Sequence, residues 1–223
     1  MRYLILLLLA ARLDAQRLDT LYVGHASLST AYMRNDSSES VFLVPDSGGT
    51  KVIGRTTTRQ RVVDGRLFRV VHFHSARADV TDSVMTGGTG VLPMWEISHQ
   101  TSKLMHLKWD GRRVTGDVTP TGKSQEAVDQ HMTIAPFNSS DVEQIIQGLA
   151  LTPGYRALVA TYEYETPGGL RLDTLTVIDK GQVRVSRGGT SSMTVWLDPD
   201  TKRVVKEEFA DSPTTWKFRI VRQ

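Results

Sequence analysis

The stretch Lys103-Leu104-Met105-His106-Leu107-Lys108-Trp109-Asp110-Gly111-Arg112-Arg113-Val114-Thr115-Gly116-Asp117-Val118 decides the class of fold. Met105, Leu107 and Trp109 alternate with His106 and Lys108, the period of two that puts one set of side chains on one face of a strand. Asp110-Gly111 then supplies a tight turn, because glycine tolerates positive φ, and the polar-apolar alternation resumes after it. The segment therefore reads as a β-hairpin. The same grammar returns at residues 59–63 and 66–74 around Asp64-Gly65, and in the last run, where Trp216, Phe218 and Ile220 oppose Lys217 and Arg219. Turn signals at 87–90, 119–122, 167–169, 179–181 and 198–202 space out the rest, so ten or more strands are expected.

Strands with one wet and one apolar face must cover the apolar side. This predicts an all-β chain, mainly β with one short helix, in which a strongly curved antiparallel sheet forms a half-barrel to barrel. The helix is read at 140–147: Ser140 stands three residues before Glu143 as a capping box, and Val142, Ile145, Ile146 and Leu149 recur at helical spacing before or after Gly148 as a stop. Its apolar stripe either covers the concave side of the sheet or plugs one end. The polar residues 35–40 read as a mobile loop.

The chain has 223 residues, 39% of them hydrophobic, which suits one folded domain. Charge is balanced at 27 basic against 24 acidic residues, so nucleic acid is not implied as a partner. With no cysteine, disulfides, thiolate metal sites, cysteine nucleophiles and an acylated N-terminal cysteine are all excluded. The first fifteen residues stand apart: Arg2 gives a positive start, residues 4–11 are apolar, and Ala15 offers a small residue for cleavage before Gln16. They read as a secretory signal, since about 20 apolar residues are needed to span a bilayer. The expectation is signal peptide 1–15, one β domain 16–223 with no transmembrane segment, and a periplasmic or secreted location.

Candidate chemistry is sparse. His72 and His74 share a strand face at a spacing that could hold a metal, yet a third ligand would have to come from His99 or His106 on another strand, and solvent-facing histidines are the simpler reading. Glu163 with Glu165 points one way along a strand, whereas acid-base chemistry needs carboxylates opposed across a cleft; Asp198-Pro199-Asp200 reads as a turn. Gly122-Lys123-Ser124 lacks the first glycine of a phosphate loop, and no Gly-x-Ser-x-Gly elbow occurs. Arg55, Arg59 and Arg61 form a basic strip that could meet an anionic surface or simply keep the chain soluble. Asn35 and Asn138 begin acceptor sequons. No catalytic residue, metal ligand or cofactor is assigned.

Three further segments carry a resemblance. Val91-Leu92-Pro93-Met94 after a glycine turn, a short helix ending in Leu149-Ala150-Leu151-Thr152-Pro153-Gly154, and Trp196-Leu197-Asp198-Pro199 followed by Arg203-Val204-Val205-Lys206 resemble a family of exported bacterial domains of unknown function, distantly like the outer-membrane lipoprotein carriers. The likeness covers most of 80–210; the family favours Leu-Pro-Leu where this chain has Leu149-Ala150-Leu151, and residues before Ser40 find no counterpart. The resemblance implies a curved antiparallel sheet in the periplasm with an apolar concavity, and no established activity.

The functional expectation is a binding module that holds a lipid, a lipoprotein or another acylated partner in that concavity, lined by Trp95, Trp109, Trp196 and Trp216 and by Ile145 and Ile146 of the helix. An envelope scaffold without ligand ranks second and a hydrolase third, because polar residues that would have to converge are scattered singly along the chain. The oligomeric state stays open.

Overall fold

The computed structural model describes residues 18–187, 191–212 and 215–223, with the side chains of 211, 212, 215 and 216 left aside. The expected signal peptide, 1–15, lies outside the described residues. Among the described residues, sixteen strands, a 3-10 turn at Ser139–Asp141 and one short α-helix make up the fold: β1 Asp19–Leu21, β2 Asp36–Asp46, β3 Gly49–Val63, β4 Arg66–Ser75, β5 Asp79–Gly87, β6 Leu92–His99, β7 Lys103–Asp110, β8 Arg113–Pro120, β9 Glu126–His131, β10 Phe137–Asn138, α1 Val142–Gly148, β11 Arg156–Tyr162, β12 Leu170–Asp179, β13 Gln182–Arg187, β14 Ser191–Leu197, β15 Val204–Ser212 and β16 Thr215–Arg222. All strands belong to one sheet.

Its order is two meanders sewn together. Strands β2 to β9 run consecutively, β11 to β16 run consecutively, and the last strand pairs antiparallel with β2 through Arg219 opposite Leu43 and Val221 opposite Val41. β1 and β10 both join β11, in parallel. Bulges at Phe42/Leu43, Met85/Thr86, Trp196/Leu197 and Phe209/Ala210 add local twist and curl the sheet strongly.

The curl stops short of closure. The path ends at β9 without backbone pairing to β11. Side chains bridge the seam instead: Tyr164 Oη donates to Glu126 at 2.9 Å, Lys103 pairs with Glu165, and Trp109, Val128, Met132 and Tyr162 form a small apolar cluster. The architecture is a half-barrel with its edges brought near each other.

Both glycine-turn hairpins are present. Between β3 and β4 the loop is Asp64-Gly65, with φ of 49° and 70°, the doubly left-handed turn that matches strand twist. Between β7 and β8, Asp110 opposite Arg113 still belongs to the ladder, and the loop is Gly111-Arg112 with Gly111 at φ 57°. Glycine in the first central position is what a type II′ turn requires, so the turn sits one residue later than the Asp-Gly pairing suggests.

Two local expectations are corrected. Residues 35–40 are mostly strand: β2 begins at Asp36, pairs with β3 from Gln60 onward, and is held by backbone bonds that leave no loop there. The helix begins later than the capping-box reading. Asn138, not Ser140, caps the preceding 3-10 turn by accepting from the Ser140 amide at 3.0 Å, and α1 spans Val142–Gly148.

α1 plugs one end of the half-barrel. Val142, Ile145, Ile146 and Leu149 pack with Leu21, Leu28 and Tyr32 of the N-terminal segment and with Val159, Leu175, Val183, Val185 and Val195 of the sheet. Ser29 fastens the segment to the helix end, its amide and hydroxyl both donating to the Gly148 carbonyl at 2.9 Å. Among the described residues no helix is long and apolar enough to cross a membrane.

Candidate ligand cavity

Under the plug the inner face of the sheet changes character. In β4, Leu67, Arg69, Val71 and Phe73 point inward; Leu67 joins the core below α1, and the other three line a partly open cavity of about 260 Å³. Thr56, Thr58 and Gln60 of β3, Asp36, Ser40 and Phe42 of β2, Asp82 of β5, Val204 to Glu207 of β15, and Ile220 and Arg222 of β16 also line it. α1 supplies the roof, because seven residues make about two turns and present two faces: the apolar stripe goes to the core, while Glu143, Gln144 and Gln147 face the cavity.

The wall has an aromatic side and a polar side. Phe42 lies 4.7 Å from Phe73 and 5.8 Å from Phe218, which stacks on Phe209 at 4.2 Å. Gly54 makes room for this arrangement, since a Cβ there would sit 2.5 Å from the Phe73 ring. Opposite, Gln144 and Gln147 are 2% and 3% exposed and their Oε1 atoms have no hydrogen-bond partner; Thr56 Oγ1 and Arg69 Nε are likewise open. Arg69 turns Nη2 onto Asp141 at 2.9 Å and onto the Ser140 carbonyl at 2.7 Å, and Thr86 Oγ1 donates to the other Asp141 oxygen at 3.2 Å.

Burial governs the protonation of this interior. Desolvation pushes Glu207 up to about 8, with the nearby Glu143 charge adding to it. Glu96 is pushed up to about 8 by burial first and by Asp82 second, although it accepts from Asn138 Nδ2 at 3.1 Å. Asp82 and Asp141 are raised by desolvation too, the Asp141 burial outweighing Arg69.

A second cavity of about 220 Å³ begins on the other side of Asp82 and is bordered by Glu96, Tyr162, Arg171 and Arg187. Arg171 is spent on Glu163 at 2.6 Å and on both Asp173 oxygens at 3.1 and 3.0 Å. Arg187 lies 5.8 Å from the Phe209 ring.

The residues expected to line a greasy concavity do not gather there. Trp95 is on the outer face beside Phe68, at 5.8 Å between rings, and Trp196 is on the outer face with the Lys206 ammonium 3.4 Å above its ring. Trp109 faces inward but at the seam, edge-on to Tyr162. The Trp216 side chain lies outside the described residues. Ile145 and Ile146 are fully buried in the core, on the face of α1 opposite the cavity. The concavity is thus mixed in character, because inward positions on β3, β4, β5 and β15 carry Thr, Gln, Arg, Asp and Glu.

The weighed alternatives land on the surface. His72 Nε2 and His74 Nδ1 both meet the exposed Asp79, at 2.7 and 3.6 Å, and His106 meets Asp117 at 3.3 Å. Among the described residues no group of three His, Asp or Glu is placed to hold a metal. Glu165 pairs with Lys103, and Asp198 accepts from Thr201 N at 2.7 Å and Asp200 N at 3.2 Å, as turn chemistry requires. Arg55, Arg59 and Arg61 are exposed. Asn138 is 1% exposed and bonded to Glu96, so its sequon is closed in the folded chain.

One signal in the sequence pointed here. A charged residue on an otherwise apolar strand face, as Arg69 between Leu67 and Val71, marks an inner face that is not purely core. No protein-family model matches the chain, and comparison with curated proteins finds no match.

Proposed function

We propose that the chain is a ligand-binding module of the cell envelope or the extracellular space, carried there by residues 1–15 and holding a small amphipathic guest in the cavity beneath α1. The observation that carries this is the pair of unpartnered Gln144 and Gln147 oxygens, buried on side chains that line a partly open cavity together with Phe42 and Phe73. An unsatisfied buried acceptor costs about 1–3 kcal/mol, and leucine at either position would avoid that cost in a protein that served only as a scaffold. A guest that donates hydrogen bonds to the amides and lays an apolar body on the phenylalanines uses both walls at once.

Size limits the guest. The volume of about 260 Å³ falls just under the ~300–1,000 Å³ of typical small-molecule sites, so the fit is to a small amphiphile or to the end of a lipid chain. Each buried methylene of such a chain is worth about 0.8 kcal/mol, which keeps a lipid or an acylated partner within the same reading.

The test is native mass spectrometry and solvent extraction of protein purified gently from an exporting bacterial host. A co-purifying small molecule or lipid, on a chain whose N-terminus is Gln16, is the expected result. A chain that retains Met1 refutes export by cleavage. A chain that carries nothing and leaves a fluorescent fatty acid unbound at micromolar concentration refutes the binding reading in favour of an interaction scaffold.

A further inference from the structure

The charge around the cavity is unevenly matched. Of the cations on its wall, Arg69 is held by Asp141 at 2.9 Å and Arg222 lies 3.7 Å from Asp36, while the Lys206 ammonium is outside the sheet over Trp196. The carboxylates Asp82, Glu143 and Glu207 border the same space, and among the described residues none of them has a lysine or arginine nitrogen at ion-pair distance; Asp82 has the Ser98 hydroxyl. A purely solvated acidic face would not need explaining, but Glu207 is 6% exposed and Asp82 is half-buried.

Independent of the carboxylates, the open hydrogen-bonding capacity on the roof is of one kind. Gln144 Oε1 and Gln147 Oε1 are acceptors on side chains at least nine-tenths buried, and both lack a donor. Arg69 Nε and the Thr56 hydroxyl are donors left open on this wall. Phe42 and Phe73 add ring faces, whose quadrupole attracts positive charge. Carboxyl groups without an ion-pair partner, amide oxygens without donors and aromatic faces are together the complement of an ammonium group on an apolar body.

Resting on the binding reading above, we infer that the guest is an organic cation, an amine whose N–H groups donate to Gln144, Gln147 and Glu207 and whose apolar part lies on Phe42 and Phe73. An anionic guest meets three acidic side chains on the wall, whereas an ammonium beside Glu207 favours its ionised form and supplies the ion-pair partner it lacks.

Isothermal titration of the intact protein with 2-phenylethylammonium, 2-phenylethanol and phenylacetate separates the charge from the body, which the three probes share. The expected result is that the ammonium binds at least about tenfold more tightly than the other two, and that Glu207→Gln lowers its affinity about tenfold while leaving 2-phenylethanol within twofold. Gln147→Leu, which alters no carboxylate, should reproduce the loss for the ammonium and serves if Glu207→Gln fails to fold. Binding of the alcohol or the carboxylate as tightly as the amine overturns the cation inference and leaves luminal binding standing. Binding of none of the three at millimolar concentration overturns both.

Discussion

Replacing Glu96 by glutamine should flatten the dependence of stability on pH. Glu96 is 7% exposed, and burial holds its carboxyl up at about 8 against an ordinary value of 4.5. Between those two values the folded chain keeps a proton that the unfolded chain releases, so stability is fully present below about 4.5 and is lost as pH rises towards 8. The slope from this one group is about −1.4 kcal/mol per pH unit, and the whole window is worth about 5 kcal/mol. Glutamine keeps the shape, can still accept from Asn138, and carries no titrating proton. Urea denaturation at pH 5.5, 6.5, 7.5 and 8.5 reads the effect as a difference between variant and wild type. Over pH 5.5 to 7.5 the wild type should lose about 3 kcal/mol more than Glu96→Gln. Glu207 and Asp173 are raised in the same sense but are common to both proteins and drop out of the difference, whereas Asp82 and Asp141, whose charges help raise Glu96, titrate together with it and belong to the same effect. Parallel profiles for the two proteins would refute the reasoning, since Glu96 would then be ionised in the folded chain throughout.

Gln144→Leu should raise unfolding free energy by about 1–3 kcal/mol, because it removes a buried acceptor without a partner, while weakening capture of any luminal guest; a melting curve and a binding titration of the same variant check both. Arg69→Met should cost about 3–5 kcal/mol by stranding Asp141, and the double variant Arg69→Met with Asp141→Leu should regain most of it; a double variant no better than the single would show that the pair is not the source of the loss. Gly54→Ala should cost about 1–3 kcal/mol and displace Phe73, seen as a change in its aromatic NMR shifts, with an unchanged spectrum as the contrary result.

The sequence alone determined the class of fold and much of its detail. Alternation in short runs is a local property of a strand, so the mainly β character, the count above ten and both glycine-turn hairpins could be read from neighbours in the chain. The helix was legible from the spacing of Val142, Ile145, Ile146 and Leu149, but its start was not, because Asn138 and Ser140 are both competent caps and the choice depends on which backbone amide is free. The assignment of 35–40 to a loop failed for a related reason: a polar segment is indistinguishable from an outer strand until its partner is known, and here the partners are β3 and the last strand of the chain.

What the tertiary structure decided was the cavity. Thr56, Arg69, Asp82, Gln144 and Glu207 come from four strands and a helix spread across the chain, and each alone looks like an ordinary polar position. Tryptophans, being large and apolar, suggested the site instead, yet Trp95 and Trp196 settle on the outer face where neighbours Phe68 and Lys206 cover them. Which face of a strand turns inward follows from pairing register and from bulges such as Trp196/Leu197, and a shift of one residue exchanges the faces entirely. Register is a contract between strands distant in sequence, so the chemistry of the interior was fixed only when the sheet curled and α1 closed its end.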